Sequence, residues 1–480
     1  MLSTIRNNLA PRHLGLAGLC LLAWVFIALF RFDNYGIEEG AALDLLLNWS
    51  IIHQIASPVA FFGVPDLRAI LFIPLDMHWV GSLVAAKVYT MFFLFGTALL
   101  LYNWSESRHG SEASMISTSL LLIAPISLMQ TDAIGAGVYL LWAFVVAAIF
   151  DNLMHGSERT APSWLFLQIL ICAFAVSLHP MGLALPLALI WRWMREPDEP
   201  KKAQRMILSL IITSAIMLLL RWGWYGMDAS AANPLSVLAD ALIGSPLLHA
   251  ANGWGIGLIV ADLGLVAIIA TLLIRKMDID STSLMLIIAS AIGTLHPDHA
   301  WVMIYWATTL YLGIPLLIKL NERIGWQGIS GQRGIVLIAV MVIVVIATTT
   351  AKNSYATRQM ELKSNTDQII AVLQKEAAAA PVDQFIAASQ WPARTLLVTR
   401  RDVLPLPPTS ADIQGFEAKI KGITHIAFDP KQKNMLDLAR NMAALSHKYE
   451  TIALMPGGVV VKLKQTASDT DKNINHTASH

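Results

Sequence analysis

Charged side chains are scarce in this chain, and where they stand is the first clue to its chemistry. Only 14% of the 480 residues are charged, with 34 Lys+Arg against 33 Asp+Glu. Asp33, Glu38, Glu39 and Asp44 follow an early apolar run, and Asp132 stands between two such runs. His179 precedes Pro180, and a short His-Pro-Asp-His segment supplies His296, Asp298 and His299. Two cations, Lys87 and Arg221, interrupt runs that are otherwise apolar. A carboxylate can take the proton from an attacking hydroxyl. A cation can hold a phosphate or compensate a departing one. An ionisable group in a membrane segment costs about 2.5–3.5 kcal/mol on insertion scales, so each of these positions is a functional candidate by default.

Each also has an ordinary reading. Asp132 would cap a helix starting at Ala133, and Glu38 and Glu39 would sit in a solvated first helical turn favoured by the dipole. The His296 to His299 segment reads equally well as a polar turn, and Lys87 as a side chain snorkelling to the headgroups. His296, Asp298, His299 and the two glutamates make a divalent metal a candidate cofactor, although no HxxxH or HExxH spacing supports it. Cys20 and Cys172 both lie in apolar runs and read as small packing residues.

The elements that must position these groups are membrane helices. With 55% hydrophobic residues and a mean hydropathy of +0.57, most of the chain needs lipid around it. A helix needs roughly 20 apolar residues to cross the hydrocarbon. The runs predict about eleven transmembrane helices, at 13–30, 82–102, 114–130, 133–150, 164–179, 180–194, 206–222, 254–274, 283–295, 301–319 and 334–350. The first run is too long for a signal-peptide core and reads as a retained anchor. A net charge of +1 with scattered basic residues excludes a nucleic-acid partner.

Orientation follows the lysines and arginines. Arg6 and Arg12, then Arg108, Arg159, the Arg192 to Arg205 cluster, Arg275 with Lys276, and Lys319 to Arg333 occupy alternate loops, which the positive-inside rule makes cytoplasmic. The loops carrying Glu38, Asp132, His179 and His296 then open on the outer face, with everything after about residue 351. That points to a bacterial inner membrane protein with a cytoplasmic N-terminus and a periplasmic C-terminal domain.

The chain divides into a transmembrane domain at 1–350, a small soluble α/β domain at 351–465 and a disordered tail at 466–480. The α/β domain alternates a helix near 365–379, the apolar run Leu396-Leu397-Val398, a helix near 410–420, the strand His425–Phe428, an amphipathic helix near 432–447, and strands at Thr451–Leu454 and Val459–Leu463. Gly457-Gly458 reads as a hairpin turn. No phosphate-binding glycine motif or acidic metal cluster occurs in the domain, so no catalytic site is expected there.

Three segments together resemble a known family. Gly36-Ile37-Glu38-Glu39-Gly40, then Gly81-Ser82-Leu83-Val84-Ala85-Ala86-Lys87, then Ala124-Pro125-Ile126-Ser127-Leu128-Met129-Gln130-Thr131-Asp132 are similar in spacing to the GT-C membrane glycosyltransferases. The likeness is to the bacterial relatives of protein mannosyltransferases and aminoarabinose transferases. It covers about 10–350 and is strongest in the first 150 residues. The family usually opens its acidic pair with Asp, where this chain has Glu38.

The resemblance implies transfer of a sugar from a polyprenyl-phosphate donor to a lipid, glycan or protein acceptor on the outer membrane face. By family position Glu38 is the base, Glu39 or Asp132 positions the acceptor, and Lys87 and Arg221 hold phosphate. His179, His296, Asp298 and His299 line the substrate side. A second reading is a non-catalytic GT-C-like subunit or scaffold docked on a membrane complex. A transporter is the third, and the chain shows no convincing internal repeat to support it.

Overall fold

The computed structural model describes residues 17–18, 20–25, 37, 41–46, 67–72, 84–155, 162–195, 200–225, 280–293, 299–316, 318, 365–381, 384–409, 412–431, 435–455 and 457–464. They form two compact units: residues 1–33 with 66–359, and residues 34–65 with 360–480. The expected spans at 254–274 and 334–350 and the tail lie outside the described residues.

The first unit is helical. After a short turn, α1 (Arg68–Leu71), come α2 (Val84–His109), α3 (Ser111–Ile123), α4 (Pro125–Asp132), α5 (Ala136–His155) and α6 (Pro162–Leu178). A 3-10 turn, Pro180–Leu183, leads into α7 (Ala184–Arg195). Then follow α8 (Pro200–Tyr225), α9 (Ser281–Gly293) and α10 (His299–Thr308). Among the described residues three helices are long and apolar enough to cross a membrane, in α2, α5 and α8, and a fourth span exists if α3 and α4, bent by 56°, count as one. The break falls at Ala124, which is extended at φ −57° and ψ 137°, because the residue before a proline is pushed out of the helical region. The helices at Ser163–Leu178, Ser281–Gly293 and Ala300–Leu316 are apolar but shorter. The described residues therefore support a helical membrane protein, and they contain three or four of the expected spans.

The surface of this unit needs lipid. On α8, Leu208, Ile211, Ile212, Ile216, Leu219 and Leu220 are all exposed, an arrangement water would penalise and hydrocarbon does not. Inside, hydroxyls pair across helices where no water can reach them. Thr90 meets Tyr139 at 2.7 Å, Thr118 meets Tyr311 at 2.8 Å, and Ser290 meets Thr308 at 2.8 Å. After α10 the helix widens into a π turn, Thr309–Gly313, and the Ser117 hydroxyl donates to its Leu310 carbonyl at 2.9 Å. A freed carbonyl thus finds a partner from a neighbouring helix.

Two rims bound the bundle. Lys87 lies on the first turn of α2 and Arg108 on its last, so 21 residues at 1.5 Å separate them by roughly 30 Å. The Arg108 rim carries a polar clasp. Buried Asp151 accepts from Arg192 at 2.6 Å and from the Trp193 indole at 3.0 Å, while Asp280 accepts from the Trp104 indole at 2.7 Å. Lys202 donates to the Met154 carbonyl at 2.8 Å. Basic groups concentrate on this rim, and the Lys87 rim holds the candidate site.

The second unit is a five-stranded α/β layer. It contains α11 (Asn365–Ala379), β1 (Ile386–Ser389), α12 (Pro392–Thr399), β2 (Asp402–Pro405), α13 (Ile413–Lys419), β3 (His425–Phe428), α14 (Leu436–Ala444), β4 (Tyr449–Met455) and β5 (Gly458–Leu463). Strand order is β2-β1-β3-β5-β4. Helical crossovers make the first three strands parallel, and a hairpin adds β4 and β5 antiparallel. Side chains alternate along the strands. Ile426, Phe428, Val459 and Val461 pack with Phe416, Leu438 and Met442, whereas Ala427 and Val460 pack with Ile369 and Leu373. The apolar run Leu396–Val398, expected within the strand–helix alternation, lies in helix α12, and the strands on either side of it are β1 and β2. In the hairpin, Gly458 has φ +152° and a Cβ there would stand 2.7 Å from the Phe428 carbonyl oxygen, so only glycine fits.

A titratable cluster crosses this sheet. His425 on β3 lies opposite Lys462 on β5, and both face Glu376 of α11, at 3.5 and 2.7 Å. Burial lowers the His425 pKa, with Lys462 adding to the effect and Glu376 opposing it. The Lys462 hydrogen bond holds Glu376 below its ordinary range. Both groups bind protons more readily in the unfolded chain, so both make stability rise with pH. The His425 contribution is complete above its ordinary value of 6.5 and is lost as pH falls through the lowered folded value. The Glu376 contribution is lost in the same way below its ordinary 4.5. Thermal unfolding of the full chain is therefore expected at lower temperature at pH 5 than at pH 7. His425→Phe, which keeps a ring against Phe385, 4.8 Å from His425 between centroids, should flatten that difference, and an unchanged slope would remove His425 from the cause.

Candidate active site

The site begins with how α4 ends. Gly135 N–H donates to the Gln130 carbonyl at 2.6 Å and Ile134 N–H to the Thr131 carbonyl at 3.2 Å. That pair of bonds is a Schellman ending, whose penultimate position normally holds a left-handed glycine. Here it holds Ile134, at φ 55° and fully buried. A β-branched residue in that region is a backbone outlier and costs about 1–3 kcal/mol. The surroundings hold it there. Arg68, 1% exposed, donates from Nη1 to the Ile134 carbonyl at 2.7 Å, and its guanidinium lies 5.9 Å from the Tyr139 ring centroid. The buried Gln130 side chain accepts from Gly137 N–H at 2.9 Å.

This ending decides what Asp132 can be. The sequence offers it as an N-cap for a helix starting at Ala133, but α5 starts at Ala136 and Asp132 is the last residue of α4. A carboxylate there faces the negative end of the helix dipole and needs a cation. Lys87 supplies it. Its ammonium is fully buried and donates to Asp132 Oδ1 at 2.8 Å, so the side chain does not snorkel to the surface. The two partners come from sequence positions 45 apart, on α2 and α4. Tyr139 and Thr90 tie the same region of α2 to α5, and Phe72 closes against both Tyr89 and Tyr139 at 6.4 and 5.9 Å between ring centroids.

The other expected residues divide between this rim and the undescribed segments. His179 is buried and caps the 3-10 turn, its Nδ1 accepting from Met181 N–H at 3.2 Å. Nearby Ser177 accepts from Leu67 N–H at 3.3 Å, which brings α1 to the end of α6. His299 opens α10, and its neighbour Ala300 lies against Gly137, where a Cβ would come within 3.1 Å of the Ala300 Cα. Arg221 lies on α8. Glu38, Glu39, His296 and Asp298 lie outside the described residues. Among the described residues no group of three or more His, Cys, Asp and Glu side chains is placed to hold a metal ion. Arg68 escapes the sequence reading. It sits between Pro65 and Pro74 beside Asp66, where an arginine reads as a loop residue and only tertiary contact reveals its burial.

The backbone arrangement of this chain is found in solved structures. The oligosaccharyltransferase of Archaeoglobus fulgidus, solved with Zn and sulfate, aligns at TM-score 0.54 and 11% identity over 90% of this chain and 71% of that one. ArnT from Cupriavidus metallidurans bound to undecaprenyl phosphate aligns at TM-score 0.52 and 11% identity, covering 93% of this chain and 97% of that one. This is the GT-C fold. The apo form of the same ArnT agrees, at TM-score 0.51 and 12% identity over the same shares. No protein-family model matches the sequence, and neither does any curated protein. The GT-C likeness is one of backbone architecture, carried with little sequence identity.

Proposed function

We propose that this chain is a GT-C glycosyltransferase of the bacterial inner membrane, moving a sugar from a polyprenyl-phosphate donor to an acceptor on the outer face. The observation that carries the reading is the fully buried Lys87 ammonium held on Asp132 at 2.8 Å. Burying a lysine among apolar helices is costly, and a site for an anionic headgroup gives that cost a purpose. The ArnT structure that shares this fold holds undecaprenyl phosphate, which makes that lipid the first donor carrier to test here.

The roles then divide by chemistry. An acceptor hydroxyl attacks the anomeric carbon as the bond from that carbon to the phosphate oxygen breaks. The phosphate leaves with the bonding electrons on its lipid, and the hydroxyl proton passes to a carboxylate. Asp132 is engaged by Lys87, so the proton acceptor is assigned to Glu38, with Glu39 positioning the acceptor. Lys87, oriented by Asp132, compensates the leaving phosphate together with Arg221. His296, Asp298 and His299 line the acceptor side. The basic rim faces the cytoplasm, and residues 351–465 form a periplasmic domain.

The test is binding of undecaprenyl phosphate by the purified full chain in detergent, measured against undecaprenol, which has the same tail without phosphate. The phosphate form should bind at least about tenfold more tightly. Equal binding of the two lipids would remove the phosphate site and favour a non-catalytic subunit.

A further inference from the structure

We propose that Arg68 is a positioning residue for this site, acting on Asp132 through the Ile134 turn and not by touching phosphate itself. The inference rests on the transferase reading. Arg68 donates to the Ile134 carbonyl at 2.7 Å, two residues beyond Asp132. Ile134 holds a left-handed conformation, φ 55°, in which a β-branched residue does not rest unaided. If Ile134 relaxes toward φ below zero, the Gly135 to Gln130 and Ile134 to Thr131 bonds that close α4 are lost. Asp132 is the last residue of α4 and would move with them.

The clamp is also connected to the other half of the ion pair. Arg68 lies over the Tyr139 ring, the Tyr139 hydroxyl meets Thr90 on α2, and Thr90 is one helical turn from Lys87. Leu67 N–H, donating to Ser177, anchors the start of α1 on the end of α6. Arg68 therefore fixes both the turn that follows Asp132 and the wall that carries Lys87. Its planar fork suits a carbonyl and a ring face together, which a lysine ammonium does not reproduce.

This assignment makes a suppressor prediction that direct phosphate binding does not. Glycine adopts the left-handed conformation without strain, so Ile134→Gly should make the clamp dispensable. The experiment measures the affinity of the full-length protein in detergent for undecaprenyl phosphate in four forms: wild type, Arg68→Gln, Ile134→Gly, and both together. Arg68→Gln should weaken binding about tenfold or more, and adding Ile134→Gly should restore it to within about threefold of the Ile134→Gly single variant. Arg68→Lys should recover only part of the loss. Unfolding midpoints are recorded in parallel, and where Arg68→Gln alone does not fold, the folded double variant decides by the same criterion. A double variant that stays weak, or an Arg68→Gln protein that binds like wild type, overturns the positioning role while leaving the transferase reading standing. A wild-type protein that does not distinguish undecaprenyl phosphate from undecaprenol overturns both.

Discussion

Lys87→Met is expected to lower the unfolding temperature of the protein and to abolish its preference for undecaprenyl phosphate, and adding Asp132→Asn is expected to return only the first. The two partners are 0% and 10% exposed by side chain and 2.8 Å apart. Removing one member of a buried pair leaves the other charge uncompensated, at a typical cost of about 3–5 kcal/mol, whereas neutralising both is often nearly neutral. Asp132 has a further reason to suffer alone, because it stands at the negative end of α4. Stability should therefore fall in Lys87→Met and recover in the double variant. Phosphate binding should not recover, because the double variant has lost the ammonium and carries no positive charge in its place. Thermal unfolding and lipid binding on the same three proteins separate the two effects. Recovery of binding in the double variant would make the pair a purely structural feature.

Glu38→Gln is expected to cost about 10²–10⁴ in the rate of sugar transfer with little loss of stability. The amide keeps the size and hydrogen bonding of the side chain and cannot accept the proton. Glu39→Gln should cost less, because the proposed mechanism gives Glu39 the positioning of the acceptor and Glu38 the proton. Asp132, the other candidate acid, is engaged by Lys87, which is why the proposal gives the proton to Glu38. Transfer assays on the two single variants and their double, with expression matched, read the order directly. Equal full activity in all three would sink the carboxylate mechanism.

Asp132 and Lys87 are legible in the sequence because each interrupts an apolar run, and a charge in such a place is conspicuous whatever the fold. Their pairing is not, since it joins α2 to α4 through packing that no local pattern encodes. Asp132 reads as a cap because the apolar run after it predicts a helix from the next residue. What decides otherwise is the Schellman ending, and its usual glycine signature is hidden by Ile134. Arg68 is invisible for a related reason, as its burial depends on Ile134 and Tyr139, far away in sequence. In the α/β unit, the Val-rich strand β5 and the strand His425–Phe428 are readable from composition and alternation. Strand β1, Ile-Ala-Ala-Ser, is poor in β-branched residues and stands out little. The apolar run Leu396–Val398 is too short for periodicity to separate strand from helix.

Transfer of sugar from a polyprenyl phosphate by this chain can be read by following the sugar. Membranes containing the full chain, wild type or Glu38→Gln at equal expression, would be given undecaprenyl phosphate carrying a radiolabelled hexose or pentose, with the native membrane lipids and glycans present as acceptors. For at least one sugar, label should leave the lipid and free undecaprenyl phosphate should accumulate in wild type, with Glu38→Gln slower by about 10²-fold or more. Label remaining on the lipid equally in both, for every sugar presented, would rule out transfer and leave the fold serving as a non-catalytic membrane subunit.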